Sequence, residues 1–91
     1  MTQIAKKISV IGRVQGVSFR VSTKEKADEL GIKGWARNES DGTVSIIAEG
    51  ELSNTSVFLN WCNEGPAFAK VLKLIVEEVS VVGFEDFKLV Y

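Results

Sequence analysis

With 91 residues, 45% of them hydrophobic, the chain is expected to fold as one domain over residues 1–91, large enough to bury roughly 60–70% of its unfolded surface without staples. Eleven basic residues stand against twelve acidic ones, a formal charge of −1 with neither sign in blocks, which weighs against nucleic acid or an anionic membrane as an obligatory partner. A lone Cys62 excludes an internal disulfide and reads as a structural thiol; with no histidine there is no zinc site of the usual ligand types, and no side chain poised for acid–base work near pH 7.

Lys6 and Lys7 interrupt the first apolar stretch, so it lacks a signal-peptide core; no segment reaches transmembrane length, and the cytoplasm is the expected compartment. From Lys6 to Val14 the chain alternates, Ile8, Val10 and Val14 on one side and Lys7, Ser9 and Arg13 on the other, the pattern of a half-buried strand. Ser22-Thr23-Lys24-Glu25 has the spacing of a capping box and predicts a helix from Ser22, leaving residues 15–21 as the link. At such a junction the unbonded N–H groups of the first helical turn and the helix dipole make a seat for an anion, and Gly16 lets the chain bend. The stretch GRVQGVSFR fits neither a nucleotide P-loop, whose glycines are one residue farther apart and precede a lysine, nor a dinucleotide fingerprint. A tight turn with a solvated arginine is the plain alternative. Against it, Arg20 sits near the end of a helix that repels cations, which makes sense when an anion shares that end.

The helix turns Thr23, Ala27 and Leu30 to one face and is expected to stop at Gly31, with Ile32 packing back. A strand over Lys33–Asn38 and another over Thr43–Glu49, in which Val44, Ile46 and Ala48 alternate with Ser45, Ile47 and Glu49, flank the turn signal Asp41-Gly42 and form a hairpin. Residues 53–64 repeat the helical period, with Val57, Phe58, Trp61 and Cys62 on one stripe, a cap at Ser53 or Asn54, and an end at Gly65-Pro66. That spacing reads the aromatics as core. A long strand follows from Lys70 to Val81, alternating Val71, Lys73, Ile75, Glu77 and Val79 with Leu72, Leu74 and Val76, with Glu77-Glu78 as the place where it could break. Phe87–Tyr91 supplies a last strand after Gly83.

Strand, helix, strand, strand, helix, strand is the order of an α+β ferredoxin-like sandwich: an antiparallel sheet with two helices on one face, here with an extra C-terminal strand. In that topology the first two strands run parallel with the third between them, so their C-terminal ends share one edge, on the order of 10 Å apart. Arg20 and Asn38 can then converge on one small anion. Taken alone, Asn38 is equally an asparagine opening the turn Asn38-Glu39-Ser40-Asp41-Gly42.

Two stretches, Gly12-Arg13-Val14-Gln15-Gly16-Val17-Ser18-Phe19-Arg20 and Gly34-Trp35-Ala36-Arg37-Asn38-Glu39-Ser40-Asp41-Gly42, resemble the acylphosphatase family, and the likeness covers nearly the whole chain. Ala27, Leu30-Gly31, Glu49-Gly50, Trp61-Cys62 and Gly65-Pro66 fall where the family pattern also has them. Ala36 and Ala67 depart from it, where the family more often has a larger residue and a second proline; both touch packing and a loop more than the site. The resemblance implies a small metal-free, cofactor-free hydrolase that cleaves acyl phosphates to a carboxylate and inorganic phosphate. By matching positions, the loop Gln15, Gly16, Val17, Ser18 and Phe19 would cradle the phosphoryl oxygens with backbone N–H groups, Arg20 would grip them, and Asn38 would hold the attacking water. A monomer acting on a small molecule, without nucleic acid or membrane, is the expected state. Glu39 and Asp41 read as turn and solvent residues, since carboxylates beside a phosphate repel it.

The competing class is a non-catalytic ferredoxin-like module that senses a small anion, because a phosphate seat does not itself make an enzyme. RNA readout on the sheet needs exposed aromatics on its central strands, and Thr43–Glu49 has none.

Overall fold

Ile8 and Val10 are buried on one face of strand β1 (Gln3–Arg13), and Val14 is buried just beyond it, as the alternation predicts. The computed structural model describes residues 2–91. The remaining elements are α1 (Phe19–Leu30), β2 (Lys33–Asn38), β3 (Val44–Glu51), α2 (Leu52–Cys62), β4 (Lys70–Val79) and β5 (Phe87–Val90). The sheet order is β4-β1-β3-β2-β5. β1 pairs antiparallel with β3 and β4, and β3 pairs antiparallel with β2, so β1 and β2 run parallel with β3 between them. Helices α1 and α2 pack together on one face, α1 over β2 and β5, α2 over β3 and β1. The architecture is the expected α+β ferredoxin-like sandwich.

One pairing departs from the antiparallel expectation: β5 runs parallel to β2, so the sheet is mixed. The reason is where the chain must cross. β4 ends beside the start of β1, the same end at which β2 begins, and the chain passes from one edge of the sheet to the other there. Entering from that end, β5 has to run alongside β2. The crossing loop is held by Glu49, 4% exposed, whose carboxylate accepts from the N–H groups of Val82 and Gly83 at 2.9 Å each and Phe84 at 3.2 Å. Alternation places Glu49 on the solvent side of its strand; the loop covers it, and three backbone donors satisfy a charge that could not otherwise be buried.

The core gathers Ile8, Val10, Val14, Phe19, Ile32 and Ile46 with Phe58 and Phe87, whose ring centroids lie 6.3 Å apart. Cys62 is buried among them as a free thiol, and burial pushes its pKa up to about 12. Trp61 packs against this cluster, 5.7 Å from the Phe19 ring, while Val57, expected on the same stripe, is exposed. α2 starts at Leu52 after an extended Glu51, without a side-chain cap from Ser53 or Asn54. Within its first turn the buried Thr55 hydroxyl donates to the Glu51 carbonyl at 2.9 Å. In β4 a bulge opposite Ile11 and Gly12 makes Leu72 the extra residue, so Val71 and Leu74 both reach the core although simple alternation sends them to opposite faces. Gly12 is needed there: its φ is 142°, and a Cβ would run into the Lys70 carbonyl. Among the described residues, no helix is long and apolar enough to cross a membrane.

Candidate active site

The helix that follows β1 begins at Phe19, three residues before the expected Ser22 cap. Ser22 and Glu25 lie inside it, and the link from the strand shortens accordingly. What takes the cap position is Ser18, in the left-handed region at φ 61°, with no side-chain cap hydrogen bond. An ordinary N-cap is extended and spends its side chain on the N–H groups of the first turn; this one does not. No acidic residue occupies the first turn either. Gly16, at φ 75°, bends the loop beforehand, and a Cβ there would meet nothing within 4 Å. Ser22 is the first residue of this segment whose N–H finds a carbonyl, that of Ser18 at 3.0 Å; among the described residues, the N–H groups of Gly16 to Val21 have no backbone acceptor. A bend followed by an uncapped helix end leaves donors and the positive dipole end available to an anion.

A cleft of about 310 Å³ opens on this end, lined by Val14, Gly16, Ser18, Phe19, Arg20, Val21 and Asn38. Of the expected site residues it therefore gathers Gly16, Ser18, Phe19, Arg20 and Asn38. Val17 instead packs against the core, and the Gln15 side chain turns to the β2–β3 turn, where its amide nitrogen donates to the carbonyls of Glu39 at 2.7 Å and Thr43 at 2.9 Å.

Arg20, expected in the link, sits in the first turn of α1 and is half-buried. Its Nη1 donates to the Val90 carbonyl at 3.1 Å, and its guanidinium lies 4.6 Å from the centroid of the Tyr91 ring. The last strand and the residue after it thus steady the arginine with an acceptor and an aromatic face, contacts that suit a guanidinium better than an ammonium. Nothing in Phe87–Tyr91 marks this in advance, because every residue carries a carbonyl.

Asn38 is the last rung of β2, opposite Val44, and its side chain is exposed. The turn proper runs from the Glu39 carbonyl to the Gly42 N–H at 3.2 Å. It is fastened by Asp41, whose Oδ1 accepts from the Thr43 N–H at 3.0 Å and hydroxyl at 2.6 Å. The turn does not use Asn38 as its opening side chain. Those bonds from Thr43 hold the Asp41 carboxyl below its ordinary pKa; the Glu39 carboxyl is likewise lowered, first by the hydrogen bond from Arg37 and then by Ser45. Arg37, one residue before Asn38 and so on the opposite face, donates to Glu39 at 2.9 Å and lies 5.0 Å from the Trp35 ring centroid. A larger cavity, about 660 Å³, occupies that open face between Lys7, Trp35, Arg37, Glu39, Asp41 and Glu77. Its carboxylates and lack of a helix end suit a phosphate less than the smaller cleft.

A family model described as acylphosphatase matches residues 6–89. An acylphosphatase of Methylococcus capsulatus is 47% identical over 81 residues, 88% of this chain and 88% of its own length. Another, of Thermococcus kodakarensis, is 38% identical over 90 residues and 99% of each chain. Among solved structures, the acylphosphatase of Bacillus subtilis superposes with a TM-score of 0.94 at 38% identity, covering 97% of this chain and 99% of that one.

Proposed function

The chain belongs to the acylphosphatase family, and on that footing we propose that it hydrolyses acyl phosphates with the residues of the smaller cleft. The observation that carries this is the uncapped start of α1, whose residues line the same cleft as Asn38 and whose first N–H groups have no backbone acceptor. In this reading the loop from Gln15 to Phe19 and the first turn of α1 hold the phosphoryl oxygens, with Arg20 beside them. Asn38, whose carboxamide is not spent on the turn, orients a water for in-line attack. The water oxygen bonds to phosphorus, the bond from phosphorus to the acyl oxygen breaks, and the electron pair leaves with the carboxylate. The water's proton passes to a phosphoryl oxygen of the substrate.

The leaving group is the conjugate base of an acid with a pKa near ~4, so it departs without a general acid. Phosphoryl transfer through a loose transition state asks mainly for positioning and charge stabilisation, and both come from fixed donors here. A chain without histidine is adequate to that task. We take the working form to be a monomer in the cytoplasm, in keeping with the single buried thiol.

Arginine and backbone donors neutralise the phosphoryl charge in this reading, so no divalent ion is needed. Release of inorganic phosphate from a simple acyl phosphate should proceed at the same rate before and after exhaustive chelation. Absence of turnover would leave only an anion-binding module; turnover restored by magnesium alone would overturn the metal-free mechanism.

A further inference from the structure

The Gln15 side chain leaves the cradle and reaches the neck of the β2–β3 turn, 24 and 28 residues away in sequence. Its two N–H groups meet two carbonyls that each already have one partner. The Glu39 oxygen accepts from Gly42 at 3.2 Å and from Gln15 at 2.7 Å; the Thr43 oxygen accepts from Glu39 at 2.9 Å and from Gln15 at 2.9 Å. A carbonyl has two lone pairs and a primary amide two hydrogens, so the four groups are matched. Turning the amide over would set its oxygen against two carbonyl oxygens, which fixes its orientation. The bond is partly buried and closes the only side-chain bridge between this loop and that turn among the described residues.

The bridged carbonyls flank the site's second half. Glu39 directly follows Asn38, and Thr43 precedes Val44, the residue paired with Asn38 across the ladder. Along the sheet, β1 and β2 do not touch, because β3 lies between them. The distance from the N–H cradle to the Asn38 carboxamide would otherwise depend on the sheet's twist and on an exposed turn. We infer that Gln15 is a positioning residue, which sets Asn38 against the phosphate cradle by tying the turn to the loop. The inference rests on the reading of Asn38 as the residue that orients water.

An error of an ångström at a reacting centre can cost on the order of a hundred-fold in rate, so the bridge acts on turnover more than on binding. Gln15→Met keeps length and neutrality and removes both donors. It should lower kcat by on the order of ten- to a hundred-fold, while inorganic phosphate still raises its melting temperature as in the parent. In the Asn38→Ala background the same substitution should change kcat less than about two-fold, since there is no oriented carboxamide left to misplace. An equal kcat cost in both backgrounds, an unchanged kcat in the parent background, or lost phosphate protection with kcat kept would each overturn the inference. If Gln15→Met folds poorly, Gln15→Ala is put through the same cycle and judged by the same coupling. Full turnover in Asn38→Ala alone would remove the underlying reading first, and that single variant separates the two failures.

Discussion

The Asn38 side chain is exposed and takes no part in fastening its own turn, which the Asp41 carboxylate does through Thr43. Asn38→Ala should therefore leave stability within about 0.5 kcal/mol, as for surface positions generally, and lower kcat by on the order of 10² to 10³, as for the loss of one preorganised polar group at a reacting centre. Denaturant melts and initial rates on one sample measure both; reduced stability with full activity would return Asn38 to a turn role. At this scale Arg20 stood out as a cation beside a helix start, whereas Asn38 alone read equally as a turn opener and was tied to Arg20 only by the strand order, which does bring the two to one cleft. Val90 and the left-handed Ser18 were not. A carbonyl acceptor has no side-chain signature, and a serine before a helix normally signals an ordinary cap.

The start of α1 shows how a local rule can mislead about an element. Ser22 and Glu25 have capping-box spacing, yet the helix is already one turn old at Ser22 and its true first turn is left without a cap. Inside a helix, serine is a poorer former than alanine. Ser22→Ala should thus be neutral or stabilising by a few tenths of a kcal/mol, whereas a capping serine would cost about 1 kcal/mol on replacement; thermal melts decide. The end of the same helix was legible: Gly31 stops it at φ 68°, with Ile32 donating back to the Ala27 carbonyl at 2.8 Å. In α2 the stripe of Phe58 and Cys62 was read correctly, and the thiol has a pH consequence. Its folded pKa, about 12, lies above the ordinary 9.0, so the folded state keeps its proton longer than the unfolded state. The associated stability is complete below pH 9.0 and declines as pH rises towards 12, by about 1.4 kcal/mol per unit. Melts between those pH values should show a steeper loss for the parent than for Cys62→Ala.

Across the whole molecule, the order of elements up to β4 followed from apolar periodicity and turn signals. The direction of β5 did not follow. It depends on a crossing loop whose anchor, Glu49, looks like any polar-face residue until the loop lies over it. Topology brings the cradle and Asn38 to one end of the sheet; the path of the chain beneath the sheet then delivers Val90 and Tyr91 to Arg20 from the far side.

Val81 and Val82 are exposed on that crossing loop, and exposed loops are where proteases nick a folded chain. A single nick there leaves β5 as a peptide, retained by four rungs to β2, the burial of Phe87 and the grip of Glu49. Its attachment then obeys mass action. Upon dilution the arginine loses its carbonyl partner and ring while the cradle stays whole. Nicked protein should therefore show a specific activity that falls with dilution and returns when a synthetic Gly83–Tyr91 peptide is added, whereas the uncut chain is indifferent to concentration.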